Sequence, residues 1–373
     1  MLFVSGHRLS RALYEDVVAP LMATSFPGLP FAAVLIGEGS DVLGYDTERS
    51  MDHDWGPRLN LLLREEDIES FKLLILSKLD DCLPPTILGL PTDLNGSSDL
   101  PGDPIMLHHN TGDGRTHGIR IDTPSRLLDN AFGIRSIEEF DLGHWLTTSP
   151  QTLLEWTSGP MFRDDVGDWT RIRRALTWYP GDVWRYQMAA RWKRIAQQEA
   201  FVGRCGEVGD DLGSQLVAMN LIEDSIKLAF LQERTYAPYA KWLGTAFSHL
   251  DGANELGPWL DQIRFATSWN ERENGLVNVM STLGNRQNDL GVCDSVDVLI
   301  QPYFDRPFRV LFAERFTRAL QDSILDQRIR ALPPDLGGTD TFVDSADALL
   351  NSKLRTTLAA WFRRFLNLEI TAP

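Results

Sequence analysis

The chain has 373 residues, of which 43% are hydrophobic and 24% charged, a composition typical of globular proteins and long enough for two domains. Its formal net charge of -16 excludes proteins that coat long nucleic acids, because neutralising phosphates requires a basic surface. Three widely spaced cysteines fit neither a disulfide framework nor a zinc site, and no apolar run is long enough to span a membrane. We therefore expect a cytoplasmic protein without membrane contact.

Helical and strand patterns alternate over roughly the first 125 residues, as in α/β proteins. A run rich in Pro, Gly, Ser and Asn between 84 and 103 is typical of an exposed loop. The other predicted elements are an amphipathic helix over residues 7–24, a buried strand over 31–36, a strand over 54–63, a helix over 65–79, and β-like segments over 105–108 and 118–122.

From about residue 125 onwards the pattern is mainly helical. Strand signals are scarce there, apart from a short apolar segment at 296–299, and no repeat of fixed period is visible. The predicted helices cover residues 125–132, 150–156, 169–178, 180–201, 210–233, 236–250, 258–283, 306–332 and 344–365. We predict an α+β protein, with an α/β domain built on a small mixed sheet over residues 1–140 and a mainly helical domain over 141–373.

The functional prediction depends on residues 31–58, FAAVLIGEGSDVLGYDTERSMDHDWGPR. The apolar strand ends at Gly37, a turn containing Gly39 and Ser40 follows, and a segment of one or two helical turns precedes Asp52 and Asp54. If the two aspartates lie on the next strand, their carboxylates face the same side, because side chains alternate along a strand. Paired carboxylates beside a glycine-lined turn suit a divalent metal that bridges to phosphate, with backbone N–H groups on the anion.

The ordered combination of apolar strand, Gly39-Ser40, Asp52-His53-Asp54 and a following strand resembles the signature of the nucleotidyltransferase superfamily, whose catalytic core is like that of DNA polymerase β. By that resemblance Gly39 and Ser40 hold the β- and γ-phosphates of a nucleoside triphosphate. Asp52 and Asp54 would be metal ligands, with Mg²⁺ as the expected ion and ATP as the expected nucleotide.

Three longer segments carry a second resemblance: GSDVLGYDTERSMDHDWGPRL, LTWYPGDVWRYQMAARWKRIAQQEAFVGRCGEVGDDLGSQLVA and LQERTYAPYAKWLGTAF. They resemble the uncharacterised proteins grouped as the DUF4037 domain, over about residues 30–250. The resemblance implies a nucleotidyltransferase-type domain followed by a helical domain that closes over the nucleotide, as in small-molecule nucleotidyltransferases, and it implies no particular acceptor. The segment that contains Lys241 resembles a helical element found across those enzymes; Lys241 either contacts nucleotide phosphate or is a surface lysine beside aromatic residues.

The superfamily usually has a third carboxylate on a later strand, which completes the metal site and can activate the attacking hydroxyl. The matching strand here is the segment 118–122, and Arg120 occupies the position where an acidic residue is expected. Asp122 shares the face of Arg120 and is the candidate third ligand, one strand step later. Arg58 is either a phosphate contact or an exposed arginine at a strand end.

Two charged groups in the helical part leave alternatives open. The cations of the helix over 180–201 form either a solvated face or a source of one phosphate contact; they are Arg185, Arg191, Lys193 and Arg194. The acids near residue 210 are either helix caps or carboxylates facing a cationic acceptor; they are Glu207, Asp210 and Asp211.

Taken with the resemblance, the sequence predicts a metal-dependent nucleotidyltransferase. It would transfer a nucleoside monophosphate from an NTP to a hydroxyl or amine of a small molecule and release pyrophosphate, with no long nucleic acid as partner. One alternative is a degenerate nucleotidyltransferase fold that binds a ligand or partner without transfer, which Arg120 favours. Others are modification of a protein or tRNA, or recruitment of the fold to different biosynthetic chemistry. The oligomeric state is left open.

Overall fold

The structure is a computed structural model that describes residues 3–52, 55–93, 109–110 and 116–366; of residues 51, 52, 109, 110 and 116 it describes the backbone alone. The chain divides into two compact units. The first comprises Met1–Phe140 and Thr152–Thr177, and the second comprises Asp141–Gln151 and Trp178–Pro373. The sequence prediction placed residues 152–177 with the helical part, whereas in the structure they belong to the first unit, because they contribute a strand to its sheet.

A five-stranded mixed sheet organises the first unit, in the order β5-β6-β2-β1-β7. Strand β1 is antiparallel to β2 and β7, with Val34 opposite Asn60 and Met161, and β2 is parallel to β6, with Asn60 opposite Arg120. The strands are β1 (Phe31–Val34), β2 (Arg58–Leu63), β5 (His109–Asn110), β6 (Thr116–Asp122) and β7 (Met161–Asp164), and a separate hairpin consists of β3 (Thr86–Ile87) and β4 (Leu90–Pro91).

These strand directions bring four strand ends to one edge of the sheet. The carboxyl end of β1 lies beside the amino ends of β2 and β7, because both run antiparallel to it. The amino end of β6 lies there too, since β6 is parallel to β2. We call this the turn edge, because the turn containing Gly39 and Ser40 follows β1 here. It positions the candidate site.

Several helices of the first unit pack against the sheet, and one buried cluster contains side chains from both. Residues of one face of β1, β2 and β6, such as Ala33, Leu61 and Ile119, pack in this cluster with Leu13 and Ile75 from the helices. The helices are α1 (Gly6–Leu13), a π-helical turn (Tyr14–Val18), α2 (Ala19–Ser25), α3 (Ser40–Leu43), a 3-10 helix (Glu48–Asp52), α4 (Glu65–Cys82), α5 (Pro124–Phe132), a 3-10 helix (Ile137–Glu139), α7 (Pro150–Thr157), which starts in the second unit, and α8 (Asp168–Leu176). The predicted helix over 7–24 is thus confirmed, with a π-helical turn inside it.

The predicted strand over 54–63 requires a correction, because β2 begins at Arg58. Gly56 and Pro57 precede it, and proline cannot donate to a strand ladder. Asp52 is the last residue of a 3-10 helix rather than a strand residue, so the strand alternation assumed for Asp52 and Asp54 does not apply. Asp54 itself and the predicted β-like segment 105–108 lie outside the described residues.

The second unit is mainly helical, as predicted. The predicted helix over 258–283 is two helices, because the Ser268 hydroxyl accepts a hydrogen bond from Glu271 N (3.3 Å) and caps a new start. The segment 296–299 is not a strand; two short strands follow it. The elements are α6 (Leu142–Thr147), α9 (Gly181–Gln198), α10 (Phe201–Glu207), α11 (Asp211–Gln232), α12 (Ala240–Phe247), α13 (Ala253–Phe265), α14 (Trp269–Asp289), β8 (Gln301–Pro302), β9 (Arg309–Val310), α15 (Glu314–Asp322), α16 (Gln327–Arg330), α17 (Thr339–Phe342), α18 (Ala346–Leu350) and α19 (Ser352–Phe365). Within the described part of the chain, no helix is long and apolar enough to cross a membrane.

Candidate functional site

The turn between β1 and α3 has a backbone that glycine permits. Gly37 and Gly39 have φ values of 102° and 130°, in the region that side chains with a Cβ rarely adopt. A Cβ at Gly39 would also overlap the side chains of Arg58 and Asp41. Ser40 follows as the first residue of the single-turn helix α3. None of the described residues accepts a hydrogen bond from the N–H of Gly39 or Ser40, so both donors are available to a ligand or to water.

A buried ion pair in the first unit stabilises this turn. Arg58 donates through Nε to Asp41 Oδ2 (2.6 Å) and through Nη2 to Asp41 Oδ1 (2.5 Å). The same Nη2 donates to the carbonyl of Glu38 (2.6 Å), inside the turn. Both side chains of the pair are at least nine-tenths buried. The bidentate geometry gives Arg58 a structural task, and its predicted contact with phosphate stays a prediction.

Asp46 connects Gly6, at the beginning of α1, to the same region through hydrogen bonds. Its Oδ2 accepts a hydrogen bond from Gly6 N (2.6 Å) and another from Trp55 Nε1 (3.1 Å). Gly6 packs so closely on Asp41 that a Cβ at residue 6 would overlap it. Sequence reasoning missed Asp41 and Asp46, because neither is one of the Gly-Ser and Asp-x-Asp residues of the motif and their contacts depend on tertiary structure.

The three predicted metal ligands are only partly described. The structure places the backbone of Asp52 at the end of the 3-10 helix, six residues before β2, and Asp54 lies outside the described residues. Among the residues whose side chains the structure describes, no group of three His, Cys, Asp or Glu is placed to hold a metal ion. A site at Asp52, Asp54 and Asp122 therefore stays a prediction.

The register of β6 separates Arg120 from Asp122. Both share a face of the strand, but Arg120 is two residues nearer the turn edge, a difference of about 7 Å at the usual strand rise. Burial lowers the pKa of Arg120, the positive charge of Arg58 lowers it further, and Glu38 opposes the shift. Asp122 lies at the far end of β6, where its Oδ1 accepts a hydrogen bond from Thr123 N (2.9 Å). The cation, not the candidate carboxylate, is therefore the nearer of the two to the turn.

Residues 152–177 also contribute to the turn edge, although the sequence motif gives no indication of this. The carbonyl of Glu155 on α7 accepts a hydrogen bond from Gly37 N (3.2 Å), and the Pro160 carbonyl accepts one from Leu35 N (2.9 Å). Gly159 lies against Leu35, where a Cβ would overlap the Leu35 carbonyl. Arg173 on α8 donates through Nη2 to the Gly159 carbonyl (2.6 Å). The end of β1 is thus enclosed by a segment that the sequence prediction assigned to the helical domain.

In the helical unit, Lys241 is an exposed residue of α12. Its Nζ lies 5.0 Å from the centroid of the neighbouring Trp242 ring, a cation–π distance. This matches the alternative of a surface lysine beside an aromatic residue. Its predicted contact with nucleotide phosphate stays a prediction.

The cations of α9 are neutralised within the helical unit. Their carboxylate partners lie 2.8 to 3.0 Å away, so these cations are paired rather than forming a solvated face. The partner of Arg185 lies on α9 itself, and the partners of the other three lie on other helices. The pairs are Arg185 with Asp182, Arg191 with Asp224 and Asp340, Lys193 with Glu314, and Arg194 with Asp224.

The acids near residue 210 also have structural partners. The Asp210 side chain accepts a hydrogen bond from Gly213 N (2.8 Å) and caps α11. Asp211 pairs with Arg272, and Glu207 pairs with Arg306 at 3.3 Å. The capping alternative is therefore correct for Asp210.

The helical unit also contains a small hollow among aromatic and polar side chains. Its lining includes Tyr179, Gln187, Arg191, Phe230 and Tyr236, and its free volume is about 20 Å³. That volume is enough for about one water molecule.

Comparison with known proteins confirms one part of the resemblance stated above. Residues 145–243 match the model of a family described as a domain of unknown function, DUF4037. No curated protein is similar enough in sequence to match the chain. One solved structure similar to it is that of a nucleotidyltransferase-like protein from Exiguobacterium sibiricum 255-15, with a TM-score of 0.35 and 9% identity over 76% of this chain and 77% of that one. Similarity at this level transfers neither a fold family nor an activity.

Proposed function

We propose that this protein is a nucleotidyltransferase that moves a nucleoside monophosphate from an NTP to a hydroxyl or amine of a small molecule. The observation that supports the proposal is the turn after β1. Its two consecutive N–H donors, at Gly39 and Ser40, have no acceptor among the described residues. A buried Arg58–Asp41 pair fixes the turn, and the sequence motif continues from it to Asp52 and Asp54.

The chain's own residues would bind and orient the triphosphate. The N–H groups of Gly39 and Ser40 would donate to β- and γ-phosphate oxygens, which requires the turn to be held before the ligand arrives. Asp52 and Asp54 would hold Mg²⁺, with Asp122 as the candidate third carboxylate. A bound Mg²⁺ would supply neutralisation of the phosphate charge.

The atoms of the proposed reaction balance without a further reactant. The acceptor oxygen or nitrogen forms a bond to the α-phosphorus, the bond from that phosphorus to the bridging α–β oxygen breaks, and pyrophosphate leaves. The acceptor's proton passes to a base, for which Asp122 is the candidate.

Labelled NTP incubated with the protein and a cell extract tests the proposal. Label should appear in the metabolite fraction and not in the macromolecule fraction, in step with pyrophosphate release. Label confined to protein or RNA would contradict a small-molecule acceptor. Absence of both label transfer and pyrophosphate release would contradict transfer altogether.

Arg120 favours a second candidate function, nucleotide binding without transfer. A cation stands nearer to the turn edge than the candidate third carboxylate, and it lies close enough to Arg58 for their charges to interact. Calorimetry with ATP and Mg²⁺, followed by a pyrophosphate assay, separates the two functions. Binding without release supports this candidate, and release at catalytic rates contradicts it.

A further inference from the structure

Arg173, on α8, carries a positive charge that the described residues do not neutralise. Its side chain is half-buried, and its Nη2 donates to one neutral acceptor, the Gly159 carbonyl (2.6 Å). Its Nε is buried and has no hydrogen-bond partner among the described residues. No carboxylate in that part of the chain forms an ion pair with it. Burial lowers the pKa of Arg173, with no opposing contribution from an acidic neighbour.

Several other arginines of the first unit are paired with carboxylates. Arg58 has Asp41, Arg163 has Asp165 at 2.8 Å, and Arg64 has Asp67 at 2.7 Å. Removing a guanidinium from water without a counter-charge costs free energy, so a chain that serves only stability would pair this group or replace it. An uncompensated, half-buried cation is instead expected where an anionic ligand supplies the missing charge.

The placement of Arg173 identifies where such an anion would bind. Gly159, whose carbonyl it contacts, packs against Leu35 and lies next to Val42 of α3. These two residues flank the turn of Gly37 to Ser40 along the chain. Arg173 therefore lies at the turn edge on the β7 side of β1, whereas Arg58 lies on the β2 side.

We propose that Arg173 binds an oxyanion together with the N–H groups of Gly39 and Ser40, and that this anion belongs to the phosphate chain of the nucleotide. The identity of the anion as nucleotide phosphate rests on the proposed function; the anion site itself rests on the contacts of Arg173. The guanidinium suits this task because its planar fork donates two parallel hydrogen bonds to a phosphate group.

The test compares three variants of the full chain by calorimetry with inorganic pyrophosphate, ATP and adenosine, each with and without Mg²⁺. Arg173→Gln removes the charge, Arg173→Lys keeps a charge without the fork, and Arg174→Gln removes the charge of the exposed neighbour on the same helix. We expect Arg173→Gln to weaken pyrophosphate and ATP binding at least tenfold and Arg173→Lys to fall in between. Arg174→Gln should match the wild type, and adenosine binding should not change with Arg173.

Thermal unfolding of the same variants without ligand distinguishes an arginine that binds a ligand from one whose role is purely structural. We expect Arg173→Gln to unfold at the wild-type temperature or above it, because it removes a half-buried charge without a counter-charge. If it unfolds clearly earlier and binds pyrophosphate with unchanged affinity, the site is overturned and Arg173 is structural.

The two proposals fail in distinguishable ways. Unchanged pyrophosphate and ATP binding in Arg173→Gln overturns the anion site, and the transferase proposal stands if the wild type still releases pyrophosphate from NTP. Pyrophosphate binding that depends on Arg173, in a protein without NTP turnover, keeps the anion site and overturns the transferase. A wild type that binds neither pyrophosphate nor ATP overturns the anion site.

Discussion

At the scale of single residues, Gly39 combines two constraints, a positive φ and the close approach of Arg58 and Asp41. Gly39→Ala should therefore destabilise the protein by about 2 kcal/mol or more, because backbone strain and steric overlap add. Gly28→Ala is the matched control, since Gly28 also has a positive φ (83°) but open space at its Cβ position. Urea unfolding measures both. Equal losses in the two variants would show that the overlap with the ion pair is unimportant.

The buried Arg58–Asp41 pair gives a second prediction. Asp41→Asn leaves the Arg58 guanidinium buried without its counter-charge, which should cost about 3 to 5 kcal/mol of unfolding free energy. Asp168→Asn removes one of the two carboxylate partners of the exposed Arg171 and should cost at most about 1 kcal/mol. Chemical denaturation of both variants checks the difference. An Asp41→Asn loss as small as that of the control would contradict the structural role assigned to this pair.

Glu199 predicts a pH dependence of stability. Burial raises the pKa of Glu199 to about 7, although backbone N–H groups of Ala313 and Leu311 donate to its carboxylate. The folded state therefore holds a proton that the unfolded state releases, so stability should fall by about 3 kcal/mol as pH rises from about 4.5 to 7.

Glu199→Gln is the control for this pH dependence. Because glutamine does not titrate, the difference in unfolding free energy between wild type and variant should change across this pH range. Parallel curves for the two proteins would show that Glu199 is not the titrating group.

At the scale of elements, the docking of α19 on α6 depends on one charged cluster. Arg363 donates to Asp141 Oδ2 (2.6 Å) and contacts the buried His144, and a Cβ at Gly143 would press on the Ala359 carbonyl. Arg363→Ala should raise hydrogen exchange in α19 by roughly tenfold or more, because a charged hydrogen bond of about 1.5 to 3 kcal/mol is lost. Arg364→Ala, at the exposed neighbouring position, is the control. Equal exchange in both variants would contradict this docking.

Elements in which apolar residues recur with a regular period could be predicted from the sequence, whereas elements that form because of tertiary contacts could not. The helix over 65–79 is observed as Glu65–Cys82, with its acidic first turn in place. Strand β7 (Met161–Asp164) carries no alternating apolar signal, and it exists as a strand because β1 pairs with it. The start of β2 was misplaced because the carboxylate motif was assumed to be part of the strand.

The candidate site shows the same division. The turn at Gly39 and Ser40 follows from local sequence, since small residues after a buried strand predict it. The Arg58–Asp41 pair joins residues 17 positions apart, and Arg173 reaches the turn edge through the packing of Gly159. No spacing rule predicts either contact, because each depends on how strands are ordered in the sheet.

At the scale of the whole molecule, the chain is an α+β protein whose sheet-bearing unit includes a late segment, Thr152–Thr177. That segment lies inside the stretch, residues 145–243, that matches the DUF4037 model. The family match therefore includes both helical-unit residues and residues that enclose the turn edge. Charge adds a constraint at this scale, because a net charge of -16 disfavours polyanionic partners unless cations are concentrated locally. At the turn edge, Arg173 is a cation that no described carboxylate neutralises.

The most direct test of the central claim is Mg²⁺-dependent pyrophosphate release from ATP, measured for the wild type and for the Asp52→Asn/Asp54→Asn double variant. Glu48→Gln, an exposed acid in the same 3-10 helix, is the matched control. We predict that the wild type and the control release pyrophosphate when a suitable acceptor is present and that the double variant does not. Full release by the double variant would contradict the claim that these two carboxylates carry the reaction.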